Sequence, residues 1–277
     1  MNILITGANG QLGLALRKEL TEHEIIGVDL PGHDISNKKI VDEVMAEAKP
    51  DMLINCAAYT NVDGCAKDPE AAYKANALGP QNLALACQQA GTALVHVSTN
   101  EVFDGSDPAG YEEWMPLQPI NPYGKSKAAG EFNVRSILPQ HYIVRTAWLY
   151  ASTGRNFIHA IMNRAKETGN VSVVTDEIGN PTWAKDLAMA IGQLIETGRY
   201  GTYHFVNSGS CSRWEFANEI LKLAGIEAEN APILSSAFKR ASTPPPYGTL
   251  HNINGAQAGI TLRPWQEALA EFISEME

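Results

Sequence analysis

Asn2-Ile3-Leu4-Ile5-Thr6-Gly7-Ala8-Asn9-Gly10-Gln11-Leu12-Gly13 is the stretch that decides the fold. A short apolar strand runs into a Gly-x-x-Gly-x-x-Gly turn, and a helical pattern follows at once. Glycines at Gly7, Gly10 and Gly13 allow a tight turn and let backbone N–H groups approach a pyrophosphate, which then faces the positive end of the helix. The strand–turn–helix context at the start of a βαβ unit makes this a dinucleotide fingerprint.

The rest of the first half repeats the plan. Strands are expected at residues 24–29, 51–56, 93–98 and 141–147, with helices near 11–21, 38–48, 69–90 and 122–136. A β-α-β-α order with near-continuous apolar strands indicates a parallel sheet covered on both faces. This is the doubly wound (Rossmann) α/β plan, in which ligands bind beyond the carboxyl ends of the strands. The last third is more broken. It reads as helices at 155–168, 184–197, 212–224 and 263–275, short strands at 171–174 and 202–206, and an irregular stretch from 226 to 252. The expected division is a dinucleotide-binding domain over 1–150, with elements returning from about 180–206. A smaller C-terminal α/β substrate lobe over 151–277 would interleave with it.

Bulk properties exclude several function classes. The 277-residue chain carries a formal net charge of −10, so a nucleic-acid partner is not expected, because phosphate backbones need a basic surface. No apolar run approaches the roughly 18 residues of a membrane span. The chain begins directly with a strand, without a basic leader segment, so a cytoplasmic protein is expected. Cys56, Cys65, Cys87 and Cys211 form no Cys-x-x-Cys pair, which argues against a zinc site or a disulfide framework.

Further chemistry lies on the same sheet edge. Asp29 ends the second strand, where a carboxylate accepts hydrogen bonds from an adenosine ribose and repels a 2′-phosphate. That favours NADH slightly over NADPH. Asp34 and Ile35 follow, in position to lie against an adenine. The small residues of Asn55-Cys56-Ala57-Ala58-Tyr59-Thr60 let backbone and cofactor come close. Asn76, a poor helix former inside a helix, is expected to tie that helix to its neighbours. Ser98-Thr99 ends the fourth strand, where a threonine hydroxyl can bond a substrate carbonyl. Asn121-Pro122 is a good helix start, with a favoured N-cap and proline at the first position. Tyr123 then falls in the first turn and Lys127 four residues on, on one helix face. The lysine charge and the helix dipole favour the phenolate, so the phenol can act as the general acid in reduction of a carbonyl.

The glycine turn, the Asn-Cys-Ala-Ala segment, Ser-Thr and Tyr-x-x-x-Lys, in this order, resemble the extended short-chain dehydrogenase/reductase family. Further segments resemble the dTDP-4-dehydrorhamnose reductases within it: Ser98-Thr99 followed by Val102-Phe103-Asp104-Gly105, Asn121-Pro-Tyr-Gly-Lys-Ser-Lys127, Arg145-Thr-Ala-Trp-Leu-Tyr150 and Gly179-Asn-Pro-Thr-Trp-Ala-Lys-Asp-Leu-Ala188. The likeness covers roughly residues 1–225. It implies NAD(P)H-dependent reduction of the 4-keto group of a nucleotide-linked deoxysugar, most closely dTDP-4-dehydro-L-rhamnose to dTDP-L-rhamnose. It also implies cofactor contacts at Gly10, Gln11, Leu12, Asp29, Asp34, Ile35, Ala58, Tyr59, Thr60, Val97, Tyr123 and Lys127. Substrate contacts would fall on Thr99, Asn100 and Trp148. A related sugar-nucleotide reductase or epimerase, or a non-catalytic regulatory subunit of methionine adenosyltransferase type, are the alternatives that the same resemblance leaves open. So are monomer and homodimer.

Departures from the family pattern cluster on the substrate side. Asn100 and Glu101 stand where Asp and Tyr are usual. The late Arg-Pro-x-x-Ser-x-Leu motif falls on Pro244-Pro-Pro-Tyr-Gly-Thr-Leu250, so Pro244 replaces the arginine and Gly248 the serine. Lys239, Arg240 and Arg213 are the candidate substitutes for a diphosphate contact. Some members carry a metal-bridging Glu where this chain has Ala15, so no metal is expected.

Overall fold

The structure, a computed structural model, describes residues 1–154, 156–238 and 240–276. Strands β1 (Asn2–Thr6), β2 (Glu24–Val28), β3 (Met52–Asn55), β4 (Ala93–Thr99) and β5 (His141–Thr146) form a sheet with a sixth strand, Gly201–His204. The order across the sheet is sixth strand, β5, β4, β3, β1, β2. Every pairing in it is parallel. The chain moves from β1 to β2 on one side, then back to β3 on the other. The carboxyl ends of β1 and β3 therefore flank the crevice where this architecture places ligands.

Side-chain alternation explains why both faces need cover. Ile3 and Ile5, Met52 and Ile54, and Val95 and Val144 point to one face with Leu12, Leu16, Leu187, Ile191 and Leu194. Leu4, Leu53 and Leu94 point to the other, with Val41, Met45, Leu83 and Val134. Successive residues of a strand face opposite sides, and both sides here are apolar. A third cluster lies apart from the sheet and includes Ile158, Ile161, Val171, Val173, Phe216, Ile220, Trp265 and Phe272. It is built from helices Phe157–Thr168, Arg213–Leu223 and Trp265–Ser274 and the paired strands Asn170–Val174 and Glu229–Ile233.

Several elements differ from the sequence-based expectation, among them strand Glu229–Ile233 in the stretch read as irregular. The helix expected over 69–90 has an interruption: Pro69–Tyr73 and Gly79–Ala90 are α-helical, and Lys74–Leu78 is a π-helical turn. Asn76 sits in that turn. Its amide donates to the Tyr59 carbonyl at 3.0 Å and accepts from the Tyr59 N–H at 2.8 Å, and it also donates to Ser126 Oγ at 3.0 Å. The widened turn aims one side chain at two neighbouring segments. Helix Val62–Lys67, capped by Asn61, was not expected because its six residues carry no apolar period.

The helix Pro122–Ile137 is fastened to the sheet by charge. Arg145 on β5 meets Glu131 through two parallel bonds, Nε to Oε1 at 2.9 Å and Nη2 to Oε2 at 2.8 Å. Ser98 on β4 donates to the same carboxylate at 2.6 Å. Burial alone would raise the Glu131 carboxyl pKa, but the charge and hydrogen bonds of Arg145, with Ser98, outweigh it and hold it low. Both ionic side chains are inaccessible to solvent. Arg145→Met is expected to leave the buried carboxylate with only Ser98 and the more exposed Arg135, and to cost about 3–5 kcal/mol. Urea denaturation checks this as a lower midpoint at unchanged slope.

Candidate active site

The cradle at the start of the chain is formed by contact between backbones. Gly7 has φ +70°, and a Cβ there would stand 2.6 Å from the Ala57 nitrogen. The two turns after β1 and β3 therefore touch. Helix Gln11–Glu19 has no side-chain cap at Gly10, so its first N–H groups are not taken by a capping oxygen. Gln11, Leu12 and Gly13 line a cavity of about 750 Å³. An uncapped helix start lined by glycine suits a pyrophosphate. Thr146 adds a second sign of a ligand, since its hydroxyl is buried on the same wall without a protein partner. These features fit a dinucleotide.

The trough continues past Gly7 and Gly10 into a neighbouring cavity of about 430 Å³ lined by Asp29, Asp34, Ile35, Ala57, Ala58 and Tyr59. Asp29 already accepts from the Asn9 N–H at 2.8 Å and the Leu30 N–H at 2.7 Å. It braces the glycine turn against β2, and each carboxylate oxygen keeps a further lone pair. Hydrogen bonds from Ser36 lower the pKa of Asp34. The remaining positions expected at the cofactor, Thr60 and Val97, line the larger cavity with Tyr123 and Lys127.

Tyr123 and Lys127 sit where the helix N-terminus meets the carboxyl ends of β3 and β4. Asn121 caps that helix, its Oδ1 accepting from the Gly124 N–H at 2.8 Å. Lys127 is 2% exposed, and its ammonium donates to the Val97 carbonyl at 2.6 Å. Burial lowers its pKa to about 8, against the raising influence of Glu131 and Cys56. The Tyr123 phenol differs from the sequence-based expectation. Burial, then the charge of Glu101, pushes its pKa up, and a hydrogen bond with Thr99 offsets only part of this. The Lys127 ammonium is meanwhile bonded to the Val97 carbonyl. A protonated phenol is the form a general acid needs at the start of reduction.

The substrate side of the cavity holds Thr99, Asn100, Glu101 and Trp148. The Thr99 hydroxyl donates to Asn100 Oδ1 at 3.3 Å and accepts from the Glu101 N–H at 3.2 Å. Glu101 Oε2 accepts from the cap residue Asn121 at 2.6 Å. Burial raises the Glu101 pKa, opposed by the Asn121 hydrogen bond and by Arg213 and Arg240. Gly248 has a reason here: a Cβ at that position would lie 2.3 Å from the Asn100 amide nitrogen. Trp148 has a left-handed backbone, φ +45°, and the Arg213 guanidinium stacks over its ring at 3.6 Å. Lys239 lies outside the described residues. Sequence reasoning missed Thr146, which lies within the Arg145–Tyr150 segment, and Thr153 and Gly154, which line the same cavity from a segment without a motif.

A family model, RmlD substrate binding domain, matches residues 1–277. The chain belongs to this family. A dTDP-4-dehydrorhamnose reductase of Mycobacterium tuberculosis is 39% identical over 98% of this chain and 92% of its own length. The spore coat polysaccharide biosynthesis protein SpsK of Bacillus subtilis is 37% identical over 99% and 97%. The crystal structure of a Bacillus anthracis dTDP-4-dehydrorhamnose reductase in complex with NADP superposes with a TM-score of 0.96. It is 42% identical and covers 99% of this chain and 98% of that one. These family members and the parallel six-stranded sheet agree with the doubly wound fold expected from the sequence.

The Lys127 shift carries a pH prediction. A lysine moved down to about 8 loses its charge as the pH rises through that value. Carbonyl-reducing kcat/KM is therefore expected to fall above pH 8, in a pH–rate profile with reduced cofactor saturating. A profile flat to the ordinary lysine range, ~10, rejects a role for the ammonium.

Proposed function

We propose that this protein is an NAD(P)H-dependent reductase of the 4-keto group of a nucleotide-linked deoxysugar, acting on dTDP-4-dehydro-L-rhamnose to give dTDP-L-rhamnose. The observation that carries this reading is the single cavity shared by the glycine turn, Thr99, Tyr123 and Lys127. Family membership supports it along the full length of the chain.

When bound, the reduced nicotinamide supplies a hydride to the sugar carbon. The chain supplies the rest. The Thr99 hydroxyl bonds the carbonyl oxygen and orients it. The Tyr123 phenol hands its proton to that oxygen as negative charge develops there. The new alkoxide is far more basic than a phenolate, so a raised phenol pKa is no obstacle. The Lys127 ammonium holds the Val97 carbonyl, would hold the nicotinamide ribose, and steadies the phenolate once it forms. Gly7, Gly10, Gln11, Leu12 and Gly13 would hold the pyrophosphate, and Asp29, Asp34, Ile35, Ala57, Ala58, Tyr59 and Thr60 the adenosine end. Asn100 and Trp148 contact the sugar.

NADH is the preferred donor on this reading, because the Asp29 carboxylate stands where a 2′-phosphate would be repelled. The pair Asn100 and Glu101 favours keeping a second reading, a reductase or epimerase of a related nucleotide sugar. Loss of NADH absorbance matching product formed selects reduction; an isomerised product without net NADH loss selects epimerisation.

Tyr123→Phe is expected to lower kcat by about 100- to 10,000-fold while NADH still binds, as followed by NADH fluorescence. Wild-type turnover in that variant removes Tyr123 from the mechanism. The donor preference is checked by KM: NADH below NADPH, with Asp29→Ala narrowing the gap. Equal KM values in the wild type refute it.

A further inference from the structure

The active-site cavity shares three lining residues, Trp148, Leu149 and Arg213, with a second one. A cavity of about 540 Å³ lies among helices Phe157–Thr168 and Arg213–Leu223 and strand Asn170–Val174. Its walls are largely apolar, with Phe157, Ile161, Phe216 and Phe238. That volume is in the range that encloses a small organic ligand. Trp148, Leu149 and Arg213 line both cavities, so a ligand with its carbonyl at Tyr123 and its far end among these rings must pass the junction they form.

The junction carries a guanidinium, in a protein whose net charge is −10. Arg213 stacks at 3.6 Å over Trp148 and lies 5.1 Å from the Phe157 ring centroid. Its Nε is 3.9 Å from Glu177 Oε2, too far for a hydrogen bond. Arg240 reaches the other oxygen of Glu177 in a close ion pair. Burial lowers the Arg213 pKa to about 10, with Glu177 and Glu101 pushing it back up, so the group stays charged at neutral pH. Among the described residues lining the two cavities the cations are Lys127, Arg213 and Arg240, and Lys127 is engaged by Val97. A partly buried guanidinium with one long contact has unused donors, and its planar fork matches the oxygens of a phosphate.

The geometry points to Arg213, with Arg240, as the clamp for the diphosphate of the nucleotide sugar, and to Glu177 as the carboxylate that holds the two guanidiniums together until the diphosphate arrives. This rests on the nucleotide-sugar reading above. It also gives a physical account of Pro244: the cation at the junction is supplied by the start of helix Arg213–Leu223 and by Arg240. The carboxylate has a cost, because it repels the incoming phosphates. Removing its charge should therefore strengthen diphosphate binding, the reverse of what loss of a purely structural ion pair would do.

Calorimetric titration of the full chain with dTDP, and separately with thymidine, tests this. NADH binding serves as the check on folding. The wild type should bind dTDP more tightly than thymidine. Arg213→Gln should weaken dTDP binding by about ten- to a hundredfold and leave thymidine unchanged. Arg213→Lys, which keeps the charge and loses the fork, should fall between. Glu177→Gln should tighten dTDP binding severalfold. Unchanged dTDP affinity in Arg213→Gln with NADH binding intact overturns the clamp. Weaker dTDP binding in Glu177→Gln overturns the role given to Glu177. A wild type that binds neither dTDP nor thymidine sinks the nucleotide-sugar reading itself.

Discussion

The buried pair of Glu131 and Arg145 fixes where the chemistry happens. Two parallel bonds, with Ser98 on the same carboxylate, lock one helix to two strands of the sheet. Glu131 lies one turn beyond Lys127, so the register that satisfies the pair also aims the lysine at the Val97 carbonyl. A helix held only by apolar contacts has several nearly equal ways to settle. A doubly bonded ion pair out of water has one, because any slip leaves a charge stranded. The apolar clusters on the two faces of the sheet supply the bulk of the stability. The ionic pair supplies the position.

A second logic is electrostatic. A protein of net charge −10 repels the anionic ligands it is expected to bind, and the counter-charge is placed locally. It comes from an uncapped helix start, one buried lysine and two arginines at a cavity junction. Burial works in opposite senses on the groups involved. It lowers the pKa of Lys127 and Arg213, and it raises that of Tyr123 and Glu101. The outcome is a pocket of poised groups, each nearer its neutral form than it would be in water.

What was legible in the sequence was what is local in the chain. The glycine turn, the proline-started helix and the Tyr-x-x-x-Lys spacing each fit within about one to three helical turns, and all the residues expected at the cofactor and substrate line two neighbouring cavities that share Gly7 and Gly10. What was not legible depends on distant segments meeting. The apolar lining at Phe157, Phe216 and Phe238 looks in sequence like ordinary core. The partner of Lys127 proved to be a backbone carbonyl, which has no signature in a sequence. The π-turn at Asn76 became visible only once Tyr59 and Ser126 were placed around it.

The sixth strand, Gly201–His204, closes the sheet beside β5 after the chain has already built part of the outer cavity wall. The order of construction along the chain is thus not the order of layers in space. This constrains how such proteins can exchange substrate preference by recombination. A single crossover after β5 would import a foreign edge strand along with the foreign pocket. Grafting a new pocket while keeping the native sheet takes two breakpoints, one on each side of Gly201–His204. Gradual substitution at Asn100, Glu101 and Arg213 avoids that difficulty, since these side chains change the pocket without moving a strand.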